Sequence, residues 1–223
     1  MLYSLVRVNS RGATGTATSA VGLFRADTKD WLYPDDNASD LAITAFNVSP
    51  EVFDISSIPP EFFVTPEMVS NREVAEGDPV LFAGLFVQYM GRTRLEPILR
   101  SGAIAMLPDD LIETTLHKLG RVYLAETHAY GGNSGSPVFV DIAKFANGIG
   151  FNYKFLGVIA GSIQERNDFR LQVSTTYDGN INVNSGIAIV VPADDVKRLL
   201  FSSSLQRVRD EVVASELKSQ KHQ

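Results

Sequence analysis

The chain has 223 residues and a formal net charge of -6, with 44% hydrophobic and 21% charged residues. That composition is typical of a globular protein, and the length suffices for a full core in one domain or in a two-lobed domain. The acidic balance, without a block of Lys and Arg, argues against nucleic-acid binding. The absence of cysteine excludes disulfides, thiol catalysis and cysteine metal sites.

The sequence also argues against membrane insertion. No apolar run approaches the roughly 20 residues that span a bilayer, and the first residues lack the pattern of a signal peptide. We therefore expect no membrane partner and slightly favour the cytosol. A leader encoded upstream stays an open alternative, and the sequence carries no signal for an oligomeric state.

Short apolar runs separated by turn residues indicate β-structure through most of the chain, as in a barrel or sandwich. In the first half these runs are residues 5–8, 41–46, 80–87 and 98–106. In the second half they are residues 121–126, 138–140, 155–159 and 187–191. The segments between the later strands without an assigned structure are residues 143–153 and 164–184.

The C-terminal part has the spacing of an amphipathic helix from Pro192 to about Ser219. Pro192 suits the first turn, and Asp194 and Asp195 favour the positive end of the helix dipole. We therefore expect one long C-terminal helix. A short helical stretch over residues 109–116 is also expected.

The strongest chemical signal is the sequence Gly-Asn-Ser-Gly-Ser-Pro at residues 132–137, between two predicted strands. A serine nucleophile needs a hydroxyl on a tight turn and backbone N–H groups directed at the developing oxyanion. The glycines permit such a turn, so Ser134 is the candidate nucleophile, and the N–H groups of Gly132 and Ser134 are the candidate oxyanion donors. The alternative is a polar hairpin loop without chemistry. A Gly-x-Ser-x-Gly elbow fits poorly, because Ser136 stands where its second glycine belongs.

This turn resembles the nucleophile loop of trypsin-like serine proteases, especially bacterial members related to the HtrA type, which often have Asn before the Ser. Other segments follow in the family's order. Residues 39–43 resemble the segment with the triad aspartate, here Asp40, and residues 76–78 resemble the start of the second barrel. Residues 156–162 resemble the strand that pairs with substrate backbone, and residues 185–192 resemble the family's last strand before a helix.

The resemblance implies an all-β fold of two antiparallel six-stranded barrels plus a C-terminal helix. The first barrel lobe would be residues 1–75, without its opening strands, and the second lobe residues 76–192, followed by the helix and tail at 193–223. The implied activity is a serine endopeptidase that forms an acyl-enzyme on Ser134, with Asp40 orienting the base. A peptide or protein is then the substrate, and neither a metal nor an organic cofactor is implied.

The resemblance also implies a substrate pocket beside Ser134. Its walls would be the stretch that contains His128 and the segment formed by Ala160, Gly161 and Ser162. No acidic residue is identified at its base, so specificity for Arg or Lys is not supported, and a small or apolar substrate side chain is expected. For His128 the alternative is a loop histidine that is hydrogen-bonded locally.

The family's catalytic histidine is missing from the stretch before Asp40. The three histidines, His117, His128 and His222, all lie later in the chain, and none suits the role of base. We therefore expect either a chain that begins inside the first barrel or a degenerate protease, and an inactive or very weak enzyme in this form. The competing hypotheses are a non-catalytic peptide-binding or scaffold domain and an unrelated β-sandwich with a chance loop match.

Overall fold

The computed structural model describes residues 3–11, 21–46, 48–89, 91, 94–143, 152–172 and 176–220. These residues are mostly β-structure, with one closed six-stranded antiparallel barrel and a few short helices. None of the helices in these ranges combines the length and the apolar character needed to cross a bilayer.

The N-terminal part contributes small sheets. Strand β1 (Tyr3–Asn9) pairs with β2 (Val21–Asp27), and β3 (Trp31–Leu32) pairs with β4 (Ile43–Thr44), both antiparallel. Within the described part of residues 1–75, strands pair only in these two separate sheets. The expected first barrel therefore stays a prediction. Helix α1 (Pro66–Ser70) follows, and the Thr65 side chain caps its first turn.

The later strands form the barrel. They are β5 (Pro79–Leu85), β6 (Pro97–Met106), β9 (Tyr123–Glu126), β10 (Pro137–Asp141), β11 (Tyr153–Gln172) and β12 (Thr176–Pro192). They close in the order β10-β11-β12-β9-β6-β5, and the short pair β7 (Ile112–Glu113) and β8 (Leu119–Gly120) lies outside the barrel.

Alternation along each strand fills the barrel interior. Val80 and Phe82 on β5 are buried, and so are Val138 and Val140 opposite them on β10. Since successive side chains of a strand point to opposite faces, these four residues share the inner face. The apolar runs from residue 80 onward are therefore barrel strands, and the core lies between them.

Strands β11 and β12 extend beyond the barrel as a two-stranded arm formed by residues 164–172 and 176–184. Sequence analysis assigned no structure to this segment. Phe169, Leu171, Ile181 and Val183 of the arm are between 40% and 54% exposed, so the arm encloses no core. Its strands consequently lack the continuous apolar run by which the barrel strands were recognised.

The C-terminal helical region is two helices, α2 (Ala193–Leu200) and α3 (Ser203–Gln220), and the prediction of a single helix is wrong. The chain leaves α2 at Phe201, and three serines follow. Serine favours helix starts over helix interiors because its hydroxyl bonds to nearby backbone. The predicted helix at residues 109–116 is also wrong, since β7 and a turn occupy that stretch.

Two apolar clusters hold these parts together. The barrel interior includes Val64 and Val74, which precede β5. A second cluster on the outside of the barrel joins Phe63 and Phe155 to Ala193 and Val196 of α2, with Leu41 packed against it. Because Leu41 follows Asp40 directly, this cluster holds the chain next to Asp40 against the barrel.

Candidate functional site

Ser134 lies in the second of two successive tight turns at the edge of the barrel. The Asn133 N–H donates to the Tyr130 carbonyl at 3.0 Å, and the Ser136 N–H donates to the Asn133 carbonyl at 3.0 Å. Gly132 and Gly135, one in each turn, have φ values of +95° and +83°, a region that glycine adopts without the strain other residues incur. The structure therefore contains tight turns whose conformation depends on glycine.

Asn133 anchors these turns. Its side chain is 2% exposed, accepts from the Tyr130 N–H at 2.9 Å and donates to the Leu85 carbonyl at 3.0 Å. A Cβ added to Gly84 would lie 2.8 Å from the Asn133 amide nitrogen, so only glycine permits this close approach. The asparagine, which sequence analysis treated only as a family feature, thus positions the neighbouring serine.

The Ser134 side chain is exposed, and its hydroxyl donates to the Ala160 carbonyl at 2.9 Å. The turn is also joined to β11 through the backbone, because the Gly135 N–H donates to the Ile159 carbonyl at 2.7 Å. The N–H groups of Gly132 and Ser134 donate to no described residue. Both candidate oxyanion donors are therefore without a partner among the residues that the structure describes.

Asp40 is tied to the same strand through Thr115. The Thr115 hydroxyl donates to an Asp40 carboxylate oxygen at 2.5 Å, and a Cβ added to Gly161 would lie 2.8 Å from the Thr115 methyl carbon. Gly161 follows Ala160, the acceptor of the Ser134 hydroxyl. Ser134 therefore bonds to β11 directly, and Asp40 bonds to Thr115, a residue that lies beside the next position of the same strand. Sequence analysis missed Thr115, because no local pattern links it to an aspartate 75 residues away.

The described histidines do not bridge Asp40 and Ser134. The exposed His128 ring is stacked with Tyr130 at a centroid distance of 6.4 Å and would lie 3.9 Å from a Cβ added to Gly186. His117 pairs with Glu113, with 2.7 Å between Nδ1 and the carboxylate. His222 lies outside the described residues. Within the described ranges, neither histidine ring hydrogen-bonds to Ser134 or Asp40.

The segments predicted to wall the pocket are held together by hydrogen bonds. The Thr127 N–H donates to the Gly186 carbonyl at 2.8 Å, and the Asn184 side chain donates to the Ala129 carbonyl at 2.6 Å. The Ser185 hydroxyl donates to the Ile163 carbonyl at 3.0 Å. The stretch with His128, the part of β12 near Gly186 and residues 160–163 of β11 thus lie side by side.

The predicted substrate strand is irregular where it passes Ser134. Its register against β12 shifts on both sides of residues 161–162, and the Ser162 hydroxyl accepts from the Gln164 side chain at 2.9 Å. The pairing of β10 with β11 ends at Pro137 and Val158, so beyond this point the described strand partner of β11 is β12 alone. One side of residues 160–163 therefore has no strand partner among the residues that the structure describes.

The arrangement offers an exposed hydroxyl, two backbone N–H groups and a carboxylate beside one strand. In the described part of the chain, no three His, Asp or Glu side chains come together in a way that would hold a metal ion. A scan of the chain against protein-family models gives no match, and a search of curated proteins gives no similar sequence. The features that bear on function are therefore the Ser134 turn and the residues around it.

Proposed function

We propose that the chain is a trypsin-like serine peptidase domain in which Ser134 is the nucleophile. The observation that carries this proposal is the double turn itself. It leaves Ser134 exposed and the N–H groups of Gly132 and Ser134 without a described partner. A turn with only a structural role needs none of these features, whereas acyl transfer needs all of them.

The proposed substrate is an extended peptide that lies along β11. Residues 160–163 have a described strand partner on one side only. A peptide can add there as a further strand through main-chain hydrogen bonds, which is a common mode of peptide recognition. Such a peptide would pass the Ser134 hydroxyl, because Ala160 accepts that hydroxyl's hydrogen bond.

In the proposed reaction, the Ser134 oxygen attacks the scissile carbonyl carbon while a base takes the hydroxyl proton. The N–H groups of Gly132 and Ser134 hold the oxyanion, and the base then returns the proton to the leaving amine. Asp40 would orient an imidazole placed between it and Ser134. Loss of the catalytic histidine in subtilisin lowers turnover by about 10⁶-fold, so a chain without this base should turn over peptides very slowly.

A second candidate is a non-catalytic peptide-binding domain. It is favoured by the hydrogen bond from the Ser134 hydroxyl to the Ala160 carbonyl. In this bond the hydroxyl donates to a neutral carbonyl oxygen, which cannot serve as a general base. Peptide addition at residues 160–163 would proceed without any step at the serine.

A fluorophosphonate probe with added imidazole tests the enzymatic proposal. Without imidazole, we expect the chain to label no more than the Ser134→Ala variant. In the proposed site, free imidazole would take the place of the base between Asp40 and Ser134, so it should raise labelling by roughly tenfold, a small part of the 10²–10⁴-fold that a positioned base supplies. The imidazole-dependent signal should vanish in Ser134→Ala and weaken in Asp40→Asn. It should persist in Ser136→Ala, the control for a serine on the same turn.

The other outcomes of this labelling experiment identify the alternatives. Strong labelling of Ser134 without imidazole would reveal a base within the chain, and its loss in His128→Ala would assign that base. If imidazole gives no labelling although the chain binds extended peptides, Ser134 is not a nucleophile and the non-catalytic domain is favoured.

A further inference from the structure

Arg100, on β6, carries a positive charge at the inner face of the barrel. Its backbone partner on β5 is the fully buried Phe82, so its side chain leaves the strand on the core side. The guanidinium carbon lies 5.0 Å from the centre of the Tyr130 ring, and the Nε–H is buried without a hydrogen-bond partner among the described residues. Sequence analysis did not single out this residue.

The charge of Arg100 is not neutralised by a described acidic side chain. None of the described ion pairs includes it. Glu126 of the adjacent strand pairs with Ala103. Ala103 alternates with the inward-facing Ile104, so Glu126 points to the opposite face of the sheet. Arg100 is partly buried, and its Nε is buried. A cation that is partly withdrawn from water without a counter-ion costs free energy, and an anionic ligand would offset part of that cost.

The surroundings of Arg100 connect it to the Ser134 turn. Tyr130 contacts the guanidinium and the His128 ring, and its N–H and carbonyl both bond to Asn133, the residue before Ser134. Opposite His128, Gly186 has a φ of +83° and carries no side chain that could fill the space. Polar and aromatic groups therefore converge next to the candidate nucleophile.

We propose that Arg100, Tyr130 and His128 form a carboxylate subsite, which accepts an Asp or Glu side chain of the peptide bound at Ser134. This inference rests on the proposed function, because that function brings a peptide to the turn. The planar guanidinium can donate two parallel hydrogen bonds to a carboxylate, and the His128 ring supplies a further donor. This proposal predicts an acidic substrate side chain, whereas the sequence alone predicts a small or apolar one.

Binding of matched peptides to the full chain tests the subsite. We would measure fluorescence anisotropy with peptides blocked at both ends that differ only in Glu, Gln or Lys at one position. Because a charge-assisted bidentate pair is about twice as strong as neutral hydrogen bonds, the Glu peptide should bind roughly tenfold more tightly than the Gln peptide. Arg100→Met should bring the two affinities together, whereas Arg72→Met, an exposed arginine on the turn after α1, should leave the preference intact.

Equal binding of the Glu and Gln peptides, or a preference for Lys, would overturn the subsite while leaving peptide binding in place. If no peptide binds, the proposed function fails. The cluster of Arg100, Tyr130 and His128 can still be tested by titrating the chain with glutarate and monitoring the NMR signals of the His128 ring. A shift that is lost in Arg100→Met supports the subsite, and its absence overturns it. If thermal melting shows that Arg100→Met is unfolded, Arg100→Lys replaces it, because lysine keeps the charge but loses the planar fork.

Discussion

Gly132 and Gly135 occupy similar backbone conformations, but their surroundings differ. A Cβ added to Gly132 would lie 2.3 Å from a Val87 methyl carbon, whereas nothing lies within 4 Å of a Cβ added to Gly135. Both have positive φ, which costs other residues about 1–2 kcal/mol. We expect Gly135→Ala to lower the free energy of unfolding by about 1 kcal/mol and Gly132→Ala to lower it further.

Urea unfolding of both variants measures these two costs separately. Adding Val87→Ala to Gly132→Ala removes the steric contact but not the backbone strain, so the double variant should approach the stability of Gly135→Ala. Equal losses in the two single variants would show that the exposed Val87 side chain moves aside at no cost.

Asp36 holds the loop that leads to Asp40. Burial opposes its charge, but hydrogen bonds from the backbone N–H groups of Ser39 and Ala38 and from the Ser39 hydroxyl outweigh that effect. Together they place the pKa of Asp36 below its ordinary value of 3.8. A carboxylate whose pKa is lower in the folded than in the unfolded state stabilises the fold above the unfolded pKa.

Asp36 should therefore contribute stability near neutral pH and lose that contribution as the pH falls below about 4. Titration of the carboxyl carbon by NMR should give a midpoint below 3.8. The Asp36→Asn variant should show a smaller decrease in unfolding free energy between pH 5 and pH 3 than the original chain. A midpoint at or above the ordinary value would mean that these hydrogen bonds do not persist in solution.

Among individual residues, the sequence predicted the Ser134 turn at the centre of the candidate site but not the side-chain contacts around it. The Ser134 turn is local, and its glycines, Asn133 and Pro137 are visible as one motif. The Thr115 contact with Asp40 and the Arg100 contact with Tyr130 join residues far apart in the chain. Such contacts depend on how strands pair, and strand pairing is not encoded in any single local pattern.

Among the elements, helix α2 is held against the barrel by a network of four charges. Arg121 donates to Asp194 at 2.7 Å and to Asp195 at 2.5 Å, and Arg198 pairs with the same two carboxylates. The Asp195 side chain is 4% exposed. Burial alone would lower the pKa of Arg121, but its hydrogen bonds to the two aspartates raise it, so the guanidinium stays charged.

Removing Arg121 should leave the buried Asp195 carboxylate with Arg198 as its remaining described ion-pair partner. We expect Arg121→Met to cost about 2 kcal/mol of unfolding free energy, less than the 3–5 kcal/mol of a fully buried pair because Arg121 is partly exposed. Arg166→Met is the matched control, since Arg166 pairs with Asp168 on the exposed arm. Chemical denaturation measures both variants. Equal, small effects would show that α2 is held by its apolar face through Val196 and Leu199 rather than by the ion network.

The elements that were predicted well are barrel strands with a continuous apolar run. Strands β5, β6 and β10 lie within about two residues of their predicted bounds, because Gly or Pro and charged residues mark their ends. The arm was missed because its apolar residues alternate with polar or charged ones and face no core. The break between α2 and α3 was missed because the apolar spacing continues across Phe201 and the serines.

The part of the chain that folds together with the barrel has an N-terminal boundary that its core residues define. A boundary between residues 75 and 76 was expected. The barrel core nevertheless includes Val64 and Val74, which are 3% and 0% exposed, and the Val64 N–H donates to the Phe155 carbonyl at 2.9 Å. A unit that starts at residue 76 would lack both valines, so we infer that the cooperative unit begins before Phe63.

Two fragments test this inference, residues 60–223 and residues 76–223. Burying a valine contributes about 1.5–3 kcal/mol, so the shorter fragment loses a large share of the roughly 5–15 kcal/mol that stabilises a domain. Residues 60–223 should unfold cooperatively in urea, while residues 76–223 should unfold at a much lower midpoint or without cooperativity. In the full chain, Val74→Ala should cost about 2 kcal/mol, whereas Val52→Ala, at a position 53% exposed, should cost little. Equal stability of the two fragments would instead support the boundary at residue 75, because it would show that the barrel folds without the segment that fills its core.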